Sequence, residues 1–166
     1  MGRLGISLKN IPVWTPKTIS EEVIEEEKTE PGVINFPTGI LKIEEITRML
    51  DSLPFDITFV DKDDTVKYFS QGEDRIFPRT KSVIGRNVSN CHPPASVHIV
   101  EKIVESFKNG EKDHEDFWIN MAGRLIYIRY FAVRSEEVEY LGVLEVTQDI
   151  KPIQELTGEK RLASKE

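Results

Sequence analysis

Cys91 and His92 stand side by side and carry the most reactive side chains in the chain. A thiol next to an imidazole can ligate haem iron or zinc, or sense oxidation. Pro93 opens another reading, because a residue before proline is pushed to extended backbone. His92 then only shapes the entry to a helix and bonds to backbone. Further along, the run YIRY (127–130), with Trp118 upstream, could line a pocket of apolar walls and a few polar groups. A guanidinium there, Arg129, would select a carboxylate or phosphate. Facing outward instead, Arg129 would pair with Glu145 or Glu115 across a sheet. Strand alternation puts Tyr127 and Arg129 on one face and Tyr130 on the other. Arg75, Arg79, Lys81 and Arg86 form a basic cluster, suited to an anionic ligand or to pairing with Asp74, Asp61 or Asp63.

The remaining chemistry is sparse. On a helix carrying Val97, Val100 and Val104, His98 falls nearly opposite the apolar face and points to solvent or a partner. His114 sits among Asp113, Glu115 and Asp116, a solvated charged edge. Three histidines and one cysteine without close spacing argue against a structural zinc site. Neither a GxGxxG, a P-loop nor a GxSxG sequence occurs. A Cys91-dependent enzyme would need His92 or a distant histidine as base and lacks an evident oxyanion hole. The chain therefore reads as non-enzymatic.

The elements that must position these residues follow from periodicity. Ile43, Ile46, Leu50 and Leu53 recur at helical spacing, and Pro54 stops that amphipathic helix. FDITFVD (55–61) and TVKYFS (65–70) read as a hairpin around a turn-rich KDD. Short polar pieces follow over 71–92. Pro93-Pro94 then opens a second helix with Val97, Val100, Ile103, Val104 and Phe107 on one face, closed by Asn109-Gly110. Strands are expected at about 113–121, 124–134 and 139–147, joined by short connections and so antiparallel. A short helix from about Ile150 ends the pattern. The order describes an α+β fold: a five-stranded antiparallel sheet with helices on one face. Both alternating sets of 124–134 are largely apolar, so the second sheet face is expected to take the N-terminal helix or a second subunit.

That order, with four local motifs, resembles a PAS domain. LPFDITFVDKDDTVKYFS (53–70) is similar to the opening PAS hairpin with its acidic turn. VIGR (83–86) and CHPP (91–94) resemble the elements that precede the long PAS helix. TQDIKPIQEL (147–156) resembles the Asp-Ile-Thr exit into a signalling helix, although Lys151 stands where threonine is usual. More narrowly, DITFVDKDD, FSQGEDRIFPRT, IGRNVSNCHPP, FWIN and YIRYFAVR resemble PAS modules at the C-terminus of bacterial and archaeal proteins that also carry a hemerythrin-like domain. Only His92, His98 and His114 are present, too few for a di-iron hemerythrin bundle. SNCHPP is not the Asn-Cys-Arg-Phe segment of flavin photoreceptors.

The resemblance implies a sensory or protein-interaction module with a ligand cavity between the sheet's inner face and the long helix. It makes Cys91, His92, Trp118, Tyr127 and Arg129 candidate ligand-binding residues. It implies a homodimer, a small-molecule ligand, a hemerythrin-like or other signalling partner domain, and output by population shift. The alternative is a haem- or metal-binding redox or gas sensor using His92.

Composition bounds these readings. The 166 residues are 39% hydrophobic and 31% charged, with 22 Lys+Arg against 29 Asp+Glu and a net charge of −7. That balance argues against nucleic-acid or anionic-membrane binding, which rely on a positive field. No apolar run approaches a spanning length of about 20 residues, no signal-peptide core opens the chain, and one cysteine cannot form an internal disulfide. The expectation is a cytoplasmic protein, with a Glu/Lys-rich surface of the kind favoured in thermophiles. Residues 1–37, with Pro12, Pro16, Pro31, Pro37 and the acidic block Glu21, Glu22, Glu25, Glu26 and Glu27, read as an extended arm or linker. The PAS domain with its flanking helix is expected over 38–156 and a tail over 157–166.

Overall fold

A computed structural model describes residues 31–91 and 94–162. The acidic block, most of the expected arm, and His92 lie outside the described residues.

Alternation of β-branched and aromatic residues sets the strands. Val33–Phe36 (β1) and Gly39–Lys42 (β2) form a small antiparallel hairpin, with Val33 opposite Lys42 and Phe36 opposite Gly39. This corrects the end of the expected arm. Pro31 and Pro37 flank β1 and do not interrupt it, so the VINF run keeps every donor it needs. Helix α1, Ile43–Asp51, follows at once; the backbone N–H of Lys42 donates to Glu45 Oε2 at 2.8 Å and ties down its first turn.

The main sheet has five strands: β3 (Asp56–Asp61), β4 (Val66–Phe69), β5 (His114–Met121), β6 (Arg124–Arg134) and β7 (Tyr140–Asp149). Their spatial order is β4-β3-β7-β6-β5, with every neighbour antiparallel. The KDD turn works through Asp61, whose Oδ1 accepts the backbone N–H groups of Asp63 (3.0 Å) and Thr65 (2.9 Å). This Asx-type closure lets Asp64 take its left-handed φ of 59°. Short 3-10 turns at Lys81–Val83 and Val88–Cys91 lead to helix α2, Pro94–Lys108. The end of α2 is held by Arg134, whose Nη2 donates to the Phe107 carbonyl at 2.7 Å. Helix α3, Lys151–Gln154, closes the fold.

Register assigns the faces. Ile128, Thr147 and Asp56 share one cross-strand row, and Tyr130, Glu145 and Thr58 share the next. These residues face α2, whose Val100, Val104 and Phe107 pack with Ile126, Ile128, Tyr130 and Val143 into the core. Leu125, Tyr127, Arg129, Phe131 and Val133 face the other way. At Gly142 the sheet comes too close for a side chain: an added Cβ would lie 2.2 Å from the Val60 carbonyl oxygen.

Candidate functional site

The inner face carries an unexpected load of polar and charged groups at its β3–β7 centre. Asp56, Thr58, Ser70, Glu145 and Thr147 are all buried. Two arginines from the segment after β4 reach over them. The guanidinium of Arg75 donates from Nη1 to the Ser70 carbonyl at 2.6 Å, from Nε to the Phe77 carbonyl at 3.0 Å and from Nη2 to Thr58 Oγ1 at 3.1 Å. It stacks 5.3 Å from the Phe69 ring centre and lies 3.8 Å from Asp56 Oδ1. Asp56 Oδ2 in turn accepts the Ile76 backbone N–H at 2.7 Å. Burial pushes the pKa of Arg75 down, and the neighbouring Asp56 opposes that shift.

Arg79 is held more loosely. Its Nη2 lies 3.4 Å and 3.5 Å from the two carboxylate oxygens of Glu145, and its buried Nε has no hydrogen-bond partner. The two side chains are only 12% and 11% exposed. Thr147 Oγ1 donates to Glu145 Oε1 at a long 3.4 Å. Opposite Glu145 on β6, the phenol of Tyr130 is pushed up first by burial and then by the Glu145 charge. This layer therefore holds one saturated arginine and one arginine–carboxylate pair with unused hydrogen-bonding capacity.

At the end of the layer a cleft of about 700 Å³ reaches Asp56 and Ile76. Its walls include Arg48 and Asp51 of α1 and the Arg124–Asp149 pair, whose closest atoms are 3.7 Å apart. The chain leaves the sheet here. Asp149 Oδ1 accepts the Lys151 N–H at 3.0 Å, Ile150 N–H donates to the Leu125 carbonyl at 2.9 Å, and Lys151 Nζ donates to the Gly123 carbonyl at 2.8 Å.

The sequence candidates sit elsewhere. Tyr127, Arg129 and Trp118 are together, but on the outer face, because Ile126, Ile128 and Tyr130 take the inward positions of β6. Tyr127 OH donates to Asp116 Oδ2 at 2.7 Å, and the Arg129 guanidinium stacks on Tyr127 (5.2 Å) and Phe131 (5.9 Å). Pairing of Arg129 with Glu145 or Glu115 is ruled out by register: both carboxylates lie opposite Tyr130 and face inward. The strand partners of Arg129 are Asp116 and Val146, and its Nε has no hydrogen-bond partner. Cys91 is half-buried at the end of a 3-10 turn, with Sγ 3.9 Å from the Asn87 carbonyl oxygen. His98 and His114 are exposed. No group of metal-ligating side chains converges among the described residues.

The basic cluster also resolves differently from expectation. Arg75 and Arg79 pair with Asp56 and Glu145, not with Asp74, Asp61 or Asp63, and Asp61 bonds Lys67 at 3.2 Å. Sequence reasoning passed over Asp56 and named Glu145 only as an outward-facing partner for Arg129. The available signal at Glu145 was that it interrupts the apolar run 143–146 at a core-facing position of the two-residue period, whereas Asp56 heads its strand and carries no such signal.

Comparisons with known proteins agree with this architecture. The PAS-domain family model matches residues 46–151. A crystal structure of a C-terminal domain from Streptococcus mutans is 39% identical, with a TM-score of 0.70, covering 75% of this chain and 97% of that one. The PAS domain of a Colwellia psychrerythraea protein superposes with a TM-score of 0.52 at 17% identity, covering 66% of this chain and 98% of that one. The PAS domain of Bordetella pertussis BvgS does so with 0.51 at 19% identity, covering 66% and 86%. The Arabidopsis thaliana oxysterol-binding protein-related protein 2B is 28% identical over 122 residues, 73% of this chain, which spans 16% of that protein's length. From the sheet order, the inward long helix and the match over 46–151, the chain belongs to the PAS-domain family.

Proposed function

We propose that this PAS domain, a sensory and signalling module, reads a small polar ligand in its inner layer and passes its state to the chain leaving β7. The observation that carries this reading is the buried Arg79–Glu145 pair, which is held at 3.4 Å and leaves a buried Nε without a partner. A buried polar group without a hydrogen bond is costly, so a ligand that completes the pair has a free-energy reason to bind. Glu145, Thr147 and Asp149 occupy successive inward positions of β7 and connect the layer to the exit helix. Ligand binding would act by favouring one of two arrangements of that exit.

The test is native mass spectrometry of the full chain, with its visible absorption spectrum, and thermal unfolding in the presence of a cellular small-molecule extract. Excess mass, or a melting temperature raised by the extract and unaffected in Arg79→Met, supports the reading. The apo mass with no extract-dependent shift overturns it. A Soret band would replace it with the haem sensor using His92.

A second observation favours self-association. Trp118 is 65% exposed on the outer face, and Ile43 and Met49 on the apolar side of α1 are 54% and 53% exposed. We propose that a second copy covers these surfaces, since Ile43 and Met49 stay open to solvent while Ile46 and Leu50 beside them are only partly buried.

A further inference from the structure

The inner layer also carries information on the class of its ligand. Its four ionic groups, Arg75 and Arg79 against Asp56 and Glu145, sum to zero charge. Arg75 and Asp56 are satisfied by backbone and by each other. The capacity left over lies on the Arg79–Glu145 pair, and its two members want opposite things. The Nε–H of Arg79 needs an acceptor, while Glu145, which receives only long hydrogen bonds, needs a donor. A ligand of net charge would leave one uncompensated charge in a low-dielectric interior. The cleft that reaches Asp56 carries both signs but is not balanced, with Arg48 and Arg124 against Asp51, Asp56, Glu73, Asp74 and Asp149, so neutrality is a property of the inner layer alone.

Resting on the proposal of a ligand in this layer, we infer that the ligand is a net-neutral zwitterion with a carboxylate for Arg79 and an ammonium for Glu145. That is the chemistry of a free α-amino acid. The carboxylate takes the unpartnered Nε edge of the guanidinium, a charge-assisted hydrogen bond. The ammonium supplies Glu145 with the donor it lacks. The layer stays neutral throughout, with one long ion pair replaced by two shorter ones.

The experiment is thermal unfolding of the full chain with each of the twenty protein amino acids at millimolar concentration. Each amino acid is matched with its deaminated acid and its decarboxylated amine; for L-valine these are isovalerate and isobutylamine. At least one amino acid is expected to raise the melting temperature by about 4 °C or more, with its matched acid and amine giving no shift. Glu145→Gln makes the layer net positive and should move the preference to the matched acid. Arg79→Met makes it net negative and should move the preference to the amine. If Arg79→Met does not fold, the near-isosteric Glu145→Gln decides alone.

An acid or amine that shifts the wild-type chain as much as the amino acid overturns the zwitterion and leaves the ligand reading standing. So does a shift with the cellular extract in the absence of any with amino acids. Silence in both experiments overturns both proposals.

Discussion

Arg75 directs its guanidinium at backbone, and that makes it a structural strut. It bonds the Ser70 and Phe77 carbonyls, Thr58 Oγ1 and, more distantly, the buried Asp56. Arg75→Met keeps the volume and removes those donors, leaving Asp56 buried without its cation. The expected loss is about 3–5 kcal/mol in urea unfolding, whereas Arg79→Met, which breaks only a long pair, should cost less. Asp61 has a different role, at the turn between β3 and β4. Burial raises its pKa, but the N–H groups of Thr65 and Asp63 and the Lys67 ammonium outweigh that, and the net direction is below its ordinary 3.8. A lowered carboxylate adds stability that is complete above pH 3.8 and lost as pH falls through its folded pKa. Asp61→Asn should therefore be less stable than wild type at neutral pH, and the two should converge in strong acid when melting temperatures are compared along a pH series.

Close approach of whole strands sets the next constraint. Beside β3, β7 passes so near at Gly142 that a methyl group would stand 2.2 Å from the Val60 carbonyl oxygen and 3.0 Å from Asp61 Cα. Both obstacles are backbone and cannot rotate away. Gly142→Ala should destabilise by about 2–4 kcal/mol, read as an earlier thermal transition by circular dichroism. Gly39, with nothing within 4 Å of its added Cβ, serves as the control and should accept alanine with little change. Helices α2 and α1 differ in kind. Phe107, Val104 and Val100 give α2 a buried stripe, while α1 has no buried residue despite its strong amphipathic pattern. Among the described residues Ile46 and Leu50 of α1 are only partly covered, and the second copy proposed above would cover the rest of that side.

At the scale of the whole molecule, the sheet has one face committed to the core and one face still apolar. Trp118, Tyr127 and Phe131 lie on that second face around the stacked Arg129. If a second copy covers it, Trp118→Glu places a charge at the centre of the contact and should weaken the dimer by about tenfold or more in sedimentation velocity. Residues that face inward remain untouched, so the monomer's melting temperature should hold. A wild-type chain that sediments as a monomer at high concentration would remove the dimer altogether. Among the described residues no helix is long and apolar enough to cross a membrane.

Local rules carried the sequence reading a long way. Two-residue alternation and 3.6-residue spacing act over neighbours, and they placed β3 to β7, α1, α2 and the turn at Asp61 within a few residues of where they lie. They also put Tyr127 and Arg129 on the face opposite Tyr130. The hairpin of β1 and β2 escaped because the flanking prolines outweighed a four-residue strand signal. What local rules do not encode is which face a helix will cover and which distant charges will meet. Arg79 and Glu145 are 66 positions apart, and no spacing along the chain relates them. They meet because β7 pairs between β3 and β6, which turns Glu145 inward beneath the segment after β4. The type and order of the elements were thus settled by neighbouring residues, whereas the ionic layer that makes this face a candidate site was decided by strand pairing across the whole sheet.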